Sequence, residues 1–230
     1  MKFAIATKPT PLLNTPDFHS VFKFPLPLDD QGLLKPIETV LLPGTPLTLL
    51  RQCSHQIFQV ATPAYPARSL YADRRFLSLQ SSFSPLGKLS SPSASVILER
   101  MVRLVGTRYI WGGNWHQGIP DLLDYYPPSA SLDPISQATW TLTGVDCSGL
   151  LYEATEGFTP RNTVQLVHFG VPAQGFAPLD LIVWPGHVIV MLDSENCIES
   201  SCLKGGVVVT PLQQRLHEIK AHPYVVRRWI

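Results

Sequence analysis

The chain has 230 residues, 45% hydrophobic and 15% charged, with a formal net charge of +1. That composition gives a globular protein with room for one large core or two modest domains, and it excludes a disordered chain. With no block of like charges, there is no electrostatic basis for a nucleic-acid or membrane-surface partner.

The opening MKFAIATKPTPLL has an apolar run, Phe3 to Ala6, too short for the core of a secretion signal. No run approaches the roughly 18 apolar residues of a membrane span. A cytoplasmic protein is therefore expected. The four cysteines, Cys53, Cys147, Cys197 and Cys202, lack zinc-ligand spacing and are expected as free thiols, with no metal.

Residues 1–80 hold short strand signals: ETVLLPGTPLTLL with a Pro43-Gly44 turn, then HQIFQVATP, then FLSLQ. They predict a small all-β barrel domain. The Ser- and Pro-rich stretch 81–95, almost free of charge, predicts a linker. Residues 96–230 form the second domain. It begins with a helix, SVILERMVRLVG, in which Ile97, Met101, Leu104 and Val105 share one face and Gly106 suits the stop. A long aperiodic region, Asn114 to Val145, follows. After a helix opened by DCSG come five strand signals: DLIVW, HVIVMLD, CIESS, GVVVTPL and YVVRRW. Helices first and consecutive strands afterwards predict an α+β domain with an antiparallel sheet.

Cys147 stands at the expected start of a helix, where the dipole and free amides favour a thiolate and provide part of an oxyanion hole. His187 opens an apolar strand and is the candidate base. Glu199, twelve residues on in the next strand, is the candidate orienting acid. A buried structural cysteine is the commoner role for such a residue, so spacing alone leaves both readings open.

The ordered phrases RYIWGG, DCSGLLYEA, TPRNT, PLDLIVWPGHVIVML and CIESS resemble the successive motifs of NlpC/P60 cysteine peptidases over about Val96 to Leu212. The β-rich N-terminal part resembles the bacterial SH3-like domain often fused to them. The resemblance implies a papain-like catalytic domain after an SH3-like barrel, with Cys147 as nucleophile, His187 as general base and Glu199 as the orienting residue. Family members usually carry His, Asn or Gln at that third place. Tyr109 matches a tyrosine near the nucleophile, Asp146 and Ser148 match substrate-contacting positions, and Arg161 matches the arginine lining the site. Asn162 stands where the dipeptide-end-recognising branch has an acid for a free α-amine. Tyr71 or Asp73 of the first domain is expected at the groove. The Asn114–Val145 insertion is expected either as a wall over the cleft or as a packed surface excursion.

By this resemblance the protein is a cysteine endopeptidase cutting peptidoglycan stem peptides between γ-D-Glu and meso-diaminopimelate. It needs no cofactor, and its partners are muropeptides met in recycling. The alternatives are a thiol-dependent amidase or acyltransferase and a non-catalytic wall-peptide binding protein.

Overall fold

The computed structural model describes residues 2–82 and 90–230. The chain divides into two compact units, each built from two stretches: Met1–Leu89 with Ile110–Gly144, and Ser90–Tyr109 with Val145–Ile230. Of the expected linker, residues 83–89 lie outside the described residues, while Ala94 and Ser95 open a helix.

In the first unit, β1 (Lys2–Ala6), β2 (Thr10–Leu13), β3 (Ile37–Leu41), β4 (Pro46–Gln52), β5 (Ile57–Ala61), β6 (Leu70–Asp73) and β7 (Leu77–Gln80) form one antiparallel sheet. Its order is β3-β2-β6-β5-β4-β1-β7. The Pro43-Gly44 turn falls between β3 and β4 as expected, with Gly44 at φ +87°. Among the described residues no ladder joins the edge strands β3 and β7, so the expected closed SH3-like barrel is not found. The difference comes from β1 and β2, which the Pro-rich start conceals. The first takes β4 on one side and β7 on the other, and the second separates β3 from β6.

The Ile110–Gly144 stretch contributes β8 (Asn114–Trp115), α3 (Asp121–Tyr125) and α4 (Pro134–Trp140), after the short α1 (Phe18–Val21) of the first stretch. Ile110, Ile119, Leu122, Tyr126, Trp140 and Leu142 share a core with Leu13, Phe18, Phe22, Ile37 and Phe76. Each fully buried large apolar side chain contributes roughly 1.5–3 kcal/mol. Trp140 is 0% exposed and its indole N–H donates to the Tyr126 carbonyl at 3.1 Å. Buried Asn114 is bonded to both the amide and the carbonyl of Val40, fixing the stretch to β3. The insertion's Tyr126 and Trp140 are therefore core residues.

In the second unit, α2 (Ala94–Arg103) buries Ile97 and Met101, with Leu104 buried at its C-cap, whereas Val105 is exposed. After β9 (Gly144–Val145) come α5 (Cys147–Ala154), α6 (Thr163–Leu166), β10 (Val171–Pro172), β11 (Leu181–Trp184), β12 (His187–Met191), β13 (Asn196–Ser201), β14 (Gly206–Pro211), α7 (Leu212–Glu218) and β15 (Val225–Arg228). The strands β10 to β15 form an antiparallel sheet in the order β10-β15-β11-β12-β13-β14. Alternation gives the sheet two apolar faces. Val183, Val188, Val190 and Ile198 pack against α2 and α5. Ile182, Ile189, Met191 and Cys197 pack against Leu212, Leu216 and Ile219 of α7 and its exit. No described helix is long and apolar enough to cross a membrane.

Candidate active site

Seven of the eight residues of α5 are buried. Its first turn is capped by Asp146, whose Oδ1 accepts from the Gly149 amide at 2.7 Å. Arg161 pairs with the same carboxylate through two nitrogens, at 2.9 and 2.7 Å, and its Nη1 also donates to Ser148 Oγ at 2.8 Å. Asp146, Ser148 and Arg161, all expected to face substrate, thus form one buried hydrogen-bonded group around the helix start. Ser200 Oγ donates to the Val145 carbonyl at 2.7 Å, tying β13 to the entrance of α5.

Cys147 is 7% exposed. Burial pushes its thiol up to about 12, the Asp146 carboxylate adds to the rise, and Arg161 with the amides of Val188 and Ser148 opposes it. This departs from the thiolate that the helix start alone predicts. Desolvation of a buried sulfur outweighs the dipole here. The sulfur lies 3.9 Å from the Gly186 carbonyl, so it meets the main chain on both sides of His187. Among the described residues no hydrogen bond joins the thiol to the imidazole.

His187 follows the tight turn from β11, where Gly186 has φ +104° and Trp184 pairs with His187. The Gly186 amide donates to Thr163 Oγ1 at 2.9 Å, anchoring that turn to the start of α6. The register Val190↔Ile198, carried along the strands, sets Glu199 diagonal to His187 on the face that α7 covers. His187 Nε2 and Glu199 Oε2 are 2.5 Å apart. The Trp184 ring lies 5.2 Å from the imidazole, and His222 stacks on Trp184.

Glu199 is 1% exposed. Burial alone would raise its carboxyl, but the hydrogen bonds from His187 and Arg215 outweigh that and hold it down at about 2. Arg215 Nη2 donates to Oε2 at 2.8 Å. Its Nε lies 2.6 Å from Oε1 as an ion-pair contact without hydrogen-bond geometry. Lys204 Nζ is 3.4 Å from Oε1. Neither cation was singled out from sequence. The spacing of Leu212, Leu216 and Ile219 is the signal for the helix that carries Arg215.

Tyr109 is half-buried and its amide donates to the Gly205 carbonyl at 3.1 Å. Burial first, then the nearby Asp146, Cys147 and Cys202, push its phenol upward. Asn162 caps α6, its Oδ1 accepting from the Gln165 amide at 2.9 Å. Tyr71 lies on β6 of the first unit, paired with Leu13 and Gln59 and packed on that unit's core. Asp73, in the same unit, is 0% exposed and bonded to Arg75 and Tyr126. Among the described residues no group of three His, Cys, Asp or Glu side chains is placed to hold a metal.

No family model matches the chain, and no curated protein matches it. Solved structures with similarity to it include an NlpC/P60 family protein from Bacillus cereus ATCC 10987, 19% identical, covering 99% of this chain and 63% of that one, with a TM-score of 0.44. The peptidoglycan hydrolase RipB from Mycobacterium tuberculosis is 27% identical over 60% of this chain and 64% of its own, with a TM-score of 0.43. RipD from the same organism, described as a non-catalytic NlpC/p60 domain protein adapted to peptidoglycan binding, is 20% identical over 60% of this chain and 97% of its own, with a TM-score of 0.43. The chain thus spans less than two thirds of the length of the first two. At these TM-scores, the functional reading rests on the site's own geometry and motifs.

Proposed function

We propose that this protein is a cysteine peptidase of the NlpC/P60 type acting on peptidoglycan stem peptides, at the bond between γ-D-Glu and meso-diaminopimelate. The observation that carries this is the His187–Glu199 bond at 2.5 Å, set beside a cysteine at the first position of a buried helix. The match of these three residues to the family's nucleophile, base and third positions supports the same assignment.

In the proposed cycle the Cys147 thiol gives its proton to His187 Nδ1, the nitrogen not engaged by Glu199. The sulfur attacks the γ-D-Glu carbonyl carbon, and first-turn amides of α5 hold the oxyanion. The imidazolium protonates the leaving amine of the diamino acid. His187 then takes a proton from water, which hydrolyses the thioester. The resting thiol, bonded to Gly186, turns to His187 only with substrate bound, since catalytic hydrogen bonds tighten in the substrate complex. Tyr109 borders the nucleophile in this reading, Arg161, Asp146 and Ser148 shape the floor of the site, and Asn162 stands where an acid would bind a free α-amine. An SH3-like role for the first unit and cytoplasmic recycling of small muropeptides complete the proposal.

The test is incubation with L-Ala-γ-D-Glu-meso-diaminopimelate and its N-blocked form, wild type against Cys147→Ala, read by mass spectrometry. Release of the diamino acid by the wild type alone is expected. Release by both proteins removes Cys147 as nucleophile, and cleavage of both peptides removes selectivity for a free amine.

One observation favours a second reading, a non-catalytic wall-peptide binder: the thiol is buried, which pushes its pKa upward, and it is bonded to a carbonyl instead of to the base. Stem-peptide binding without turnover, unchanged in Cys147→Ala, would establish it.

A further inference from the structure

Glu199 sits at the centre of a charge cluster larger than a catalytic triad requires. Arg215 meets both of its oxygens, Nε to Oε1 at 2.6 Å and Nη2 to Oε2 at 2.8 Å. Lys204 Nζ lies 3.4 Å from Oε1 and 3.2 Å from Glu218 Oε2, and Arg215 Nη1 is 3.1 Å from that same Glu218 oxygen. Two carboxylates and two cations therefore balance to zero while His187 is neutral. The other groups around the imidazole are Cys147 on the α5 side, reaching the main chain beside it, and Trp184 with His222 stacked behind it.

The balance has a chemical purpose. A general base must accept a proton and then give it up. A buried, uncompensated carboxylate 2.5 Å from an imidazole would retain that proton, because opposite charges attract strongly where water is excluded. A neutral acceptor in the same place would orient the ring without trapping it. The Arg215 guanidinium, with one hydrogen bond to Oε2 and an ion contact to Oε1, also restricts the carboxylate's orientation more than a cation meeting one oxygen does.

We infer that Arg215 is a positioning residue: it clamps Glu199 and offsets its charge, so that Glu199 orients His187 as a neutral acceptor would and does not lock it as an imidazolium. This rests on the thiol–imidazole reading above. It makes Arg215 and Glu199 a functional unit in which the arginine is required only because the acceptor is an acid.

The experiment follows iodoacetamide alkylation of Cys147 in the full chain by mass spectrometry across pH, which needs no knowledge of the substrate, alongside kcat and KM on the stem peptide. Arg215→Gln is expected to move the acid limb of the alkylation profile upward by about one pH unit or more, the effect of one uncompensated neighbouring charge. Arg215→Lys, which keeps the charge and loses the guanidinium, is expected to leave the limb in place and to lower kcat with KM little changed. In a Glu199→Gln background, adding Arg215→Gln is expected to move nothing further. That pair also serves if Arg215→Gln alone fails to fold. Equal effects of Arg215→Gln in both backgrounds, or a loss of activity with no movement of the limb, overturns the inference. A wild-type profile identical to that of His187→Ala overturns the thiol–imidazole reading itself, and the inference with it.

Discussion

Arg161 holds Asp146 through two parallel contacts, Nη1 to Oδ1 at 2.9 Å and Nη2 to Oδ2 at 2.7 Å, with both side chains buried. The carboxylate so held also caps the helix that begins with Cys147. Removing one partner leaves the other charge buried and unpaired, which costs about 3–5 kcal/mol. Arg161→Ala is therefore expected to lower unfolding free energy by about that amount in urea denaturation. A loss below about 1 kcal/mol would show that the pair is solvated in solution.

Asp146 also raises the thiol it precedes. Asp146→Asn removes a negative charge beside the sulfur and frees Arg161 to stabilise a thiolate, so both changes lower the Cys147 pKa. Alkylation of Cys147 at pH 7–8 should therefore be faster in Asp146→Asn than in wild type. Mass-spectrometric rates check this, and a slower reaction would contradict the assigned electrostatics.

Glu199 predicts an acid limb of stability. Its folded carboxyl lies at about 2, below the ordinary value of 4.5. The stabilisation is complete above pH 4.5 and is lost as pH falls through 2, because the unfolded chain takes up the proton first. At roughly 1.4 kcal/mol per unit, the effect is on the order of 3 kcal/mol. Urea midpoints measured from pH 6 to pH 2 should fall less steeply in Glu199→Gln than in wild type. Parallel slopes would mean that the carboxylate has no special stabilisation in the native state.

Gly206 supplies a steric prediction. A Cβ at this residue would stand 2.1 Å from the Thr107 carbonyl oxygen. There the chain leaving α2 runs against β14, with an Arg108–Gly206 bridge and the Tyr109 amide bonded to Gly205. Backbone must shift to admit a methyl group. Gly206→Ala is expected to cost about 1–3 kcal/mol in urea denaturation, and a variant as stable as wild type would show that this segment separates freely from β14.

Much of the second unit is legible in its sequence. The five strand signals recur as β11 to β15, most of them because they carry an apolar run between turn residues. The twelve-residue step from His187 to Glu199 becomes contact through a short antiparallel hairpin. Four features escape such reading. Burial of Cys147 depends on packing from several elements, so its thiol pKa is not a property of the helix start alone. Arg215 comes to Glu199 only through the helix that covers the sheet's other face. In the first unit, β1 and β2 are short and proline-flanked, and their pairing turns the expected barrel into an open sheet. The aromatic residues of the insertion read equally as a wall or as a packed excursion, because their partners, Phe18, Phe22 and Phe76, lie far earlier in the chain.

The interleaving of the two compact units also limits how the chain can be divided. A fragment starting at residue 96 would carry 110–144 away from the sheet that shields Trp140, Tyr126 and Leu122. Its reciprocal, ending near residue 80, would present the bare side of that sheet to water. Dissection of this protein therefore calls for a circular rearrangement or a short bridge replacing 110–144, since a single cut produces two sticky halves.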